Sequence, residues 1–239
     1  MIITIDGPAG SGKSTAARKL AAKLGIAYLD TGAMYRTIAL AALQHGTPLE
    51  DEPALIALAR SCEIHVDCGP THTRVTLDGT EVSEAIRTMA VNQATSYVAR
   101  APIIRKLLVE KQREIGRLLG SLVTEGRDQG SIVFPDADVK FFLDASLEKR
   151  AERRYAELVA DGEEASYDEI LQNLRHRDGN DQHQWAPLMR PDTATRIDTT
   201  NISIFEVIER LYAEVLARMK NGKSGMPEAA RQSRSTASP

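Results

Sequence analysis

The sequence predicts an α/β fold: a parallel sheet wrapped by helices on both faces, with a small antiparallel β insertion. Three observations predict it. The β-branched run IITID at residues 2–6 ends at a glycine-rich loop, GPAGSGKS, which opens a helical pattern. Apolar runs of strand length then alternate with amphipathic stretches nearly to the C-terminus. Residues 62–85 interrupt that alternation with short polar–apolar zigzags separated by turn residues.

The elements follow in order. Residues 2–6 are a short β-branched run that ends at the glycine loop, the signature of a buried parallel strand. After the loop, Ala17, Leu20, Ala21 and Leu24 fall at i, i+3, i+4 and i+7, and Gly25 supplies a stop. Residues 26–29 form a second strand, a helix over 33–45 stops at Gly46, and a short helix covers 51–61. Residues 63–67, 74–77 and 80–82 are the strands of the insertion, set off by Cys-Gly-Pro and Asp-Gly turn signals. Helical patterns resume over 86–118, broken near Pro102, and 122–124 and 139–143 are two more apolar strands. Ser146 opens a charged helix to about residue 160; the polar stretch 161–181 has few large apolar residues and reads as a mobile connection. Residues 196–198 are a last strand. Ser203 and Glu206 then form a capping box, and Ile204, Ile208, Leu211 and Val215 a helix stripe. Residues 221–239, rich in Ser and Ala and without periodicity, read as a disordered tail.

A chain of 239 residues, 42% apolar, suits one large domain with small insertions. Lys and Arg total 30 against 33 Asp and Glu, so no global positive field argues for nucleic acid, and phosphate chemistry must rest on local arginines. No signal-peptide pattern and no run of membrane-spanning length is present, so a cytoplasmic protein without a membrane partner is expected. Cys62 and Cys68, two cysteines flanking a strand, read as free thiols rather than a bridge or a zinc set.

GPAGSGKS matches G-x-x-x-x-G-K-[ST] throughout. Its glycines let the backbone turn N–H groups inward at phosphate oxygens, Lys13 reaches the β- and γ-phosphates, and the Ser14 hydroxyl can ligate Mg²⁺. Gly7, Pro8, Ala9, Gly10, Ser11, Gly12, Lys13, Ser14 and Thr15 are therefore the expected nucleoside triphosphate site. The N-K-x-D and D-x-x-G patterns of GTPase switches are absent. For an ATPase-type metal carboxylate after an apolar run, Asp144 comes closest, though it leads straight into a helix. Transfer to a second anion is the better expectation. Tyr35 and Arg36 follow the second strand, Arg127 and Asp128 follow the strand at 122–124, and both pairs fall at the carboxyl edge where open α/β sheets bind ligands.

The blocks GPAGSGKST, LDTGAMYR, TEGRDQGSIVFPDADVKFFLDAS and RDGNDQHQWAPL, in that order across residues 2–216, closely resemble bacterial cytidylate kinases, nucleoside monophosphate kinases with a P-loop core. The resemblance implies transfer of the γ-phosphoryl of ATP to CMP or dCMP, with Mg²⁺ accompanying ATP. It implies one kinase domain over 1–220: core 1–61, 86–149 and 182–220, a β insertion at 62–85 in the monophosphate-binding region, and a short lid at 150–181. It also implies the acceptor set: Thr31, Tyr35, Arg36, Ser96, Arg105, Arg127, Asp128, Arg177 and Asp181. Asp128 is the residue expected to tell cytosine from uracil, because a carboxylate complements the exocyclic amine and would face a carbonyl in uracil.

Arg150, Arg153 and Arg154 share one helix face by their spacing. The resemblance assigns Arg150 to the donor base and Arg154, with Lys13 and Arg127, to the transferring phosphoryl, leaving Arg153 structural. A monomer is implied likewise. The chain departs from the family pattern at Asn180 and Gln184, where arginines are usual, and weaker binding of the acceptor phosphate is expected.

Overall fold

The computed structural model describes residues 1–160, 162, 164–185 and 193–221, without the side chains of 180–185 and 221. The chain runs β1 (Ile2–Asp6), α1 (Lys13–Leu24), β2 (Ala27–Asp30), α2 (Thr31–Gln44) and α3 (Glu52–Ser61). The insertion contributes β3 (Ile64–Cys68), β4 (Thr73–Leu77) and β5 (Thr80–Glu81). Then come α4 (Met89–Arg100), α5 (Pro102–Leu119), β6 (Leu122–Gly126) and β7 (Val139–Asp144), followed by α6 (Leu147–Ala160), α7 (Tyr167–Trp185), β8 (Thr195–Asp198) and α8 (Ile204–Asn221).

The main sheet has the order β2-β6-β1-β7-β8 with every pairing parallel. β1 sits at its centre with Ile3 and Ile5 fully buried on one face and Thr4 and Asp6 buried on the other. One face packs Ile3, Ile5, Val123 and Phe141 against α1 and α8. On the other face the core runs from Leu29 and Leu122 through Met34 and Ile38 of α2 to Val98 and Ile104 and then Val75 and Leu77 of the insertion. This is the expected architecture: a parallel sheet between helices, with a separate antiparallel sheet β3-β4-β5.

The small sheet is tied to the edge strand β2. Tyr28 N donates to Gly69 O at 2.9 Å, Asp30 N to Thr73 Oγ1 at 3.0 Å, and the Thr73 hydroxyl to Tyr28 O at 2.7 Å. Cys62 and Cys68 are free thiols, and burial pushes the Cys68 thiol up to about 12.

Two local features differ from the sequence expectation. The polar stretch 161–181 does not stay irregular: from Tyr167 it is helix α7, started by Ser166, whose Oγ accepts from Glu169 N at 3.4 Å. Its sparse stripe of Tyr167, Ile170, Leu171 and Leu174 packs with Leu158 of α6 onto Ala9. The other is a single π-helical turn, Gln129–Val133, directly after Asp128, closed by Val133 N to Asp128 O at 3.2 Å and Phe134 N to Gln129 O at 2.7 Å. The capping box is present, with Ser203 N donating to Glu206 Oε2 at 2.8 Å and Glu206 N to Ser203 Oγ at 3.2 Å. The tail expected at 221–239 lies, beyond Asn221, outside the described residues.

Phe141 is fully buried at the centre of one core face. Phe141→Ala is expected to cost about 3–5 kcal/mol, read as a lower urea midpoint at unchanged m-value.

Candidate active site

The phosphate loop grows out of the central strand, and its first glycine is dictated by sterics. A Cβ at Gly7 would lie 2.0 Å from the carbonyl oxygen of Leu143, so any larger residue would push β7 away from β1. Gly12 takes a left-handed conformation, φ 88°, and turns the chain into α1. Lys13 is buried, and its ammonium donates to Pro8 O at 2.7 Å across the loop. The Ser11 hydroxyl is buried without a hydrogen-bond partner among the described residues.

Ser14, exposed at the loop mouth, donates its hydroxyl to Glu125 Oε1 at 2.8 Å. Glu125 stands in register with Ile5 of β1 on one side and Asp30 of β2 on the other. Burial raises the proton affinity of its carboxyl and Asp30 adds to the rise; Lys13, the Ser14 hydroxyl and Arg127 oppose it. A hydroxyl and two carboxylates thus gather beside the phosphate loop, with Lys13, Arg127 and Arg36 close by to offset their charge. These are hard oxygen donors, the set that suits Mg²⁺. Ser14 and Glu125 are therefore a candidate pair of ligands for a divalent cation, on the other side of β1 from Asp144. Asp144 instead accepts from its neighbour Ala145 N at 2.9 Å and lies 3.8 Å from Arg196. Glu125 carried a signal, an acid ending the apolar run 122–124, but only strand order puts it beside Ser14.

Asp6 ends β1 with no solvent exposure. Its two carboxylate oxygens accept from Gln129 N and Gly130 N, each at 2.8 Å. Burial pushes its carboxyl up to about 7, against the pull of those two amides.

The acceptor residues gather one strand away. Asp128 is buried and ion-paired with Arg105 of α5. Tyr35 lies near both, and desolvation, then the charge of Asp128, raises its phenol above the ordinary range. Arg36 Nη2 donates to Asp30 Oδ2 at 2.8 Å, while its Nε is buried with no hydrogen-bond partner among the described residues. Its guanidinium lies over Gly32, where a Cβ would come within 2.9 Å of Nη1. Thr31 is buried, and its hydroxyl donates to Glu125 O at 2.8 Å, fastening the start of α2 to β6. Arg127 is half-buried at the end of β6. Ser96 is exposed on α4, with its hydroxyl turned to Gln93 O at 3.0 Å, and no described contact joins it to Asp128.

The arginines of α6 diverge in role. Arg150 is 5% exposed, and its guanidinium is fully engaged: Nε donates to Ala145 O at 3.1 Å, Nη1 to Ala9 O at 3.0 Å, and both Nη atoms grip Asp178 of α7. Arg153 bonds Thr199 through its side chain and backbone, at 3.0 and 2.5 Å. Arg154 is 44% exposed and pairs with Glu157 at 3.2 Å. Arg177 is exposed on α7, and the side chains of Asp181, Asn180 and Gln184 lie outside the described residues.

A family model for cytidylate kinase matches residues 3–217. A cytidylate kinase from Caldanaerobacter subterraneus subsp. tengcongensis is 47% identical over 91% of this chain and 96% of its own length. One from Geobacter sulfurreducens is 45% identical over 91% and 94%. Among solved structures, an uncharacterized protein from Eubacterium ventriosum shares the fold, at a TM-score of 0.52 and 12% identity over 91% of this chain and 98% of that one.

Asp178→Ala would strip the buried Arg150 guanidinium of its carboxylate partner while leaving the loop residues in place. The expected loss is about 1–3 kcal/mol, measured by urea unfolding, with faster amide exchange in α7 than in the wild type.

Proposed function

This chain belongs to the cytidylate kinase family, and from that premise we propose that it transfers the γ-phosphoryl of ATP to CMP or dCMP, giving ADP and CDP or dCDP. The observation that carries the reading is a meeting at one strand edge. A phosphate loop leaves β1, and the neighbouring β6 leads directly into Arg127 and an Asp128 paired with Arg105. A donor anion and an acceptor anion can therefore face each other across adjacent strands.

The acceptor is itself a phosphate anion, so no strong general base is needed, and catalysis reduces to alignment and charge neutralisation. Lys13 and the loop amides hold the β- and γ-phosphates. Arg36, whose Nε has no hydrogen-bond partner among the described residues, and Arg127 hold the acceptor phosphate. Mg²⁺, bound with ATP, would neutralise charge on the phosphate oxygens; Ser14 and Glu125 are the residues that would hold it. Asp128 takes the exocyclic amine of cytosine and Arg105 its ring acceptor, so the ion pair they form already has the polarity of the base it would receive. Tyr35, Thr31, Ser96, Arg177 and Asp181 complete the acceptor side, and Arg154 reaches the transferring phosphoryl when the 150–181 segment closes and excludes water. Arg150 borders the donor site through its bond to Ala9 O. We place the enzyme in the cytoplasm as a monomer acting on free nucleotides.

A coupled ADP-release assay with ATP against CMP, dCMP, UMP and AMP tests the reading. CMP or dCMP is expected to turn over fastest; no turnover with any of them, or a preference for AMP, overturns it. Lys13→Ala is expected to lose most of kcat. Arg36→Ala is expected to raise the CMP KM by about tenfold or more with a smaller effect on kcat. Asp128→Asn is expected to narrow the CMP/UMP ratio of kcat/KM, checked by competing the two substrates.

A further inference from the structure

Asp6 has no part in the chemistry above, yet it is among the most expensively placed groups in the molecule. It is a carboxylate in the sheet interior with no solvent exposure and no ion-pair partner among the described residues. Burying a charge without a paired cation is unfavourable unless hydrogen bonds offset it. Here both oxygens are used on one target, the amides of Gln129 and Gly130 at 2.8 Å each. Those residues open the π-turn that directly follows Arg127 and Asp128.

We propose that Asp6 is a positioning residue for the acceptor half of the site, fixing where Arg127 and Asp128 stand relative to the phosphate loop. The turn is clamped on its other sides as well. Thr124 Oγ1 donates to Gln129 Oε1 and Gln129 Nε2 to Gln112 Oε1, both at 3.0 Å in the interior. The carbonyl of Asp128 accepts from Ile132 N at 2.9 Å and from Val133 N at 3.2 Å. Of these ties, the one from Asp6 reaches the strand that carries the donor loop, since Gly7 is the next residue. Asp6 thus ties the turn that follows Arg127 and Asp128 to the strand from which the phosphate loop leaves. Gly130 is shaped to the same end: a Cβ there would lie 2.8 Å from Thr4 Oγ1 and 3.4 Å from Asp6 Oδ2, so a larger residue would lift the turn off the carboxylate.

The inference rests on the kinase reading, and wild-type turnover of CMP is measured first. If that fails, the reading falls, and the test below applies only once it holds. Asp6→Asn keeps the size but turns one acceptor into a donor facing a backbone N–H. Gly130→Ala disturbs the same contact from the opposite side without altering β1, and serves if the first variant does not fold. Below the melting temperature, each is expected to raise the CMP KM about tenfold while the ATP KM stays within about twofold. The double variant should be no worse than the poorer single one, because both break one contact. Lowered thermal stability with an unchanged CMP KM would make Asp6 merely structural and overturn the proposal. So would an equal rise in both KM values, which would mean that the phosphate loop itself had been deformed.

Discussion

The parallel pairing of β1 with β6 is the constraint on which everything else in this molecule depends. Asp6 is in register with Gly126, and the residue before it, Ile5, with Glu125. Neighbouring strands lie about 4.8 Å apart, so the loops leaving these two ends are held at the separation of adjacent strands before any side chain is considered. One loop becomes the phosphate loop and α1; the other becomes Arg127, Asp128 and the π-turn. Had β7 or β8 neighbored β1 on that side instead, the same motifs would be present and would not face each other.

The second consequence of that pairing is electrostatic. Asp6, Asp30, Glu125 and Asp128 are all buried at one end of the sheet. Lys13, Arg36, Arg105 and Arg127 are interleaved with them, through ion pairs at Asp30 and Asp128 and through longer-range attraction at Glu125 and Asp6. Such an arrangement is unfavourable for folding when its charges lack partners, but it fixes donors and acceptors in place before substrate arrives. The β2, β6 and β1 ends thus hold these groups on adjacent strands.

Legibility from the sequence divided along a physical line. The phosphate loop, the central strands and the Arg127–Asp128 pair were readable because each is a local pattern. Glu125 and Asp6 were not assigned, because their importance comes from register: neither neighbouring residue in the chain announces that Ser14 or the Gln129 amide will lie beside it. Asp144 also ends an apolar run, yet it leads straight into α6 and stands on β7, across β1 from Glu125 and Ser14. Helix α7 was missed although Tyr167, Ile170, Leu171 and Leu174 fall at helical spacing, since four apolar positions in a polar stretch form a weak stripe until α6 supplies a surface. Arg150 shows a limit of spacing arguments. It shares a face with Arg154, yet one guanidinium is buried against the phosphate loop while the other lies open beside Glu157.

The hydrogen bonds from β2 to the insertion have a bearing on solubility. β2 is the outermost strand of the main sheet, and a bare outer strand offers its backbone to any passing chain. Gly69 and Thr73 occupy that backbone at Tyr28 and Asp30, so the small antiparallel sheet covers this edge against edge-to-edge pairing. An appendage that looks like an elaboration of the acceptor side thus also guards against aggregation, and trimming it to make a smaller enzyme would uncover a sticky edge.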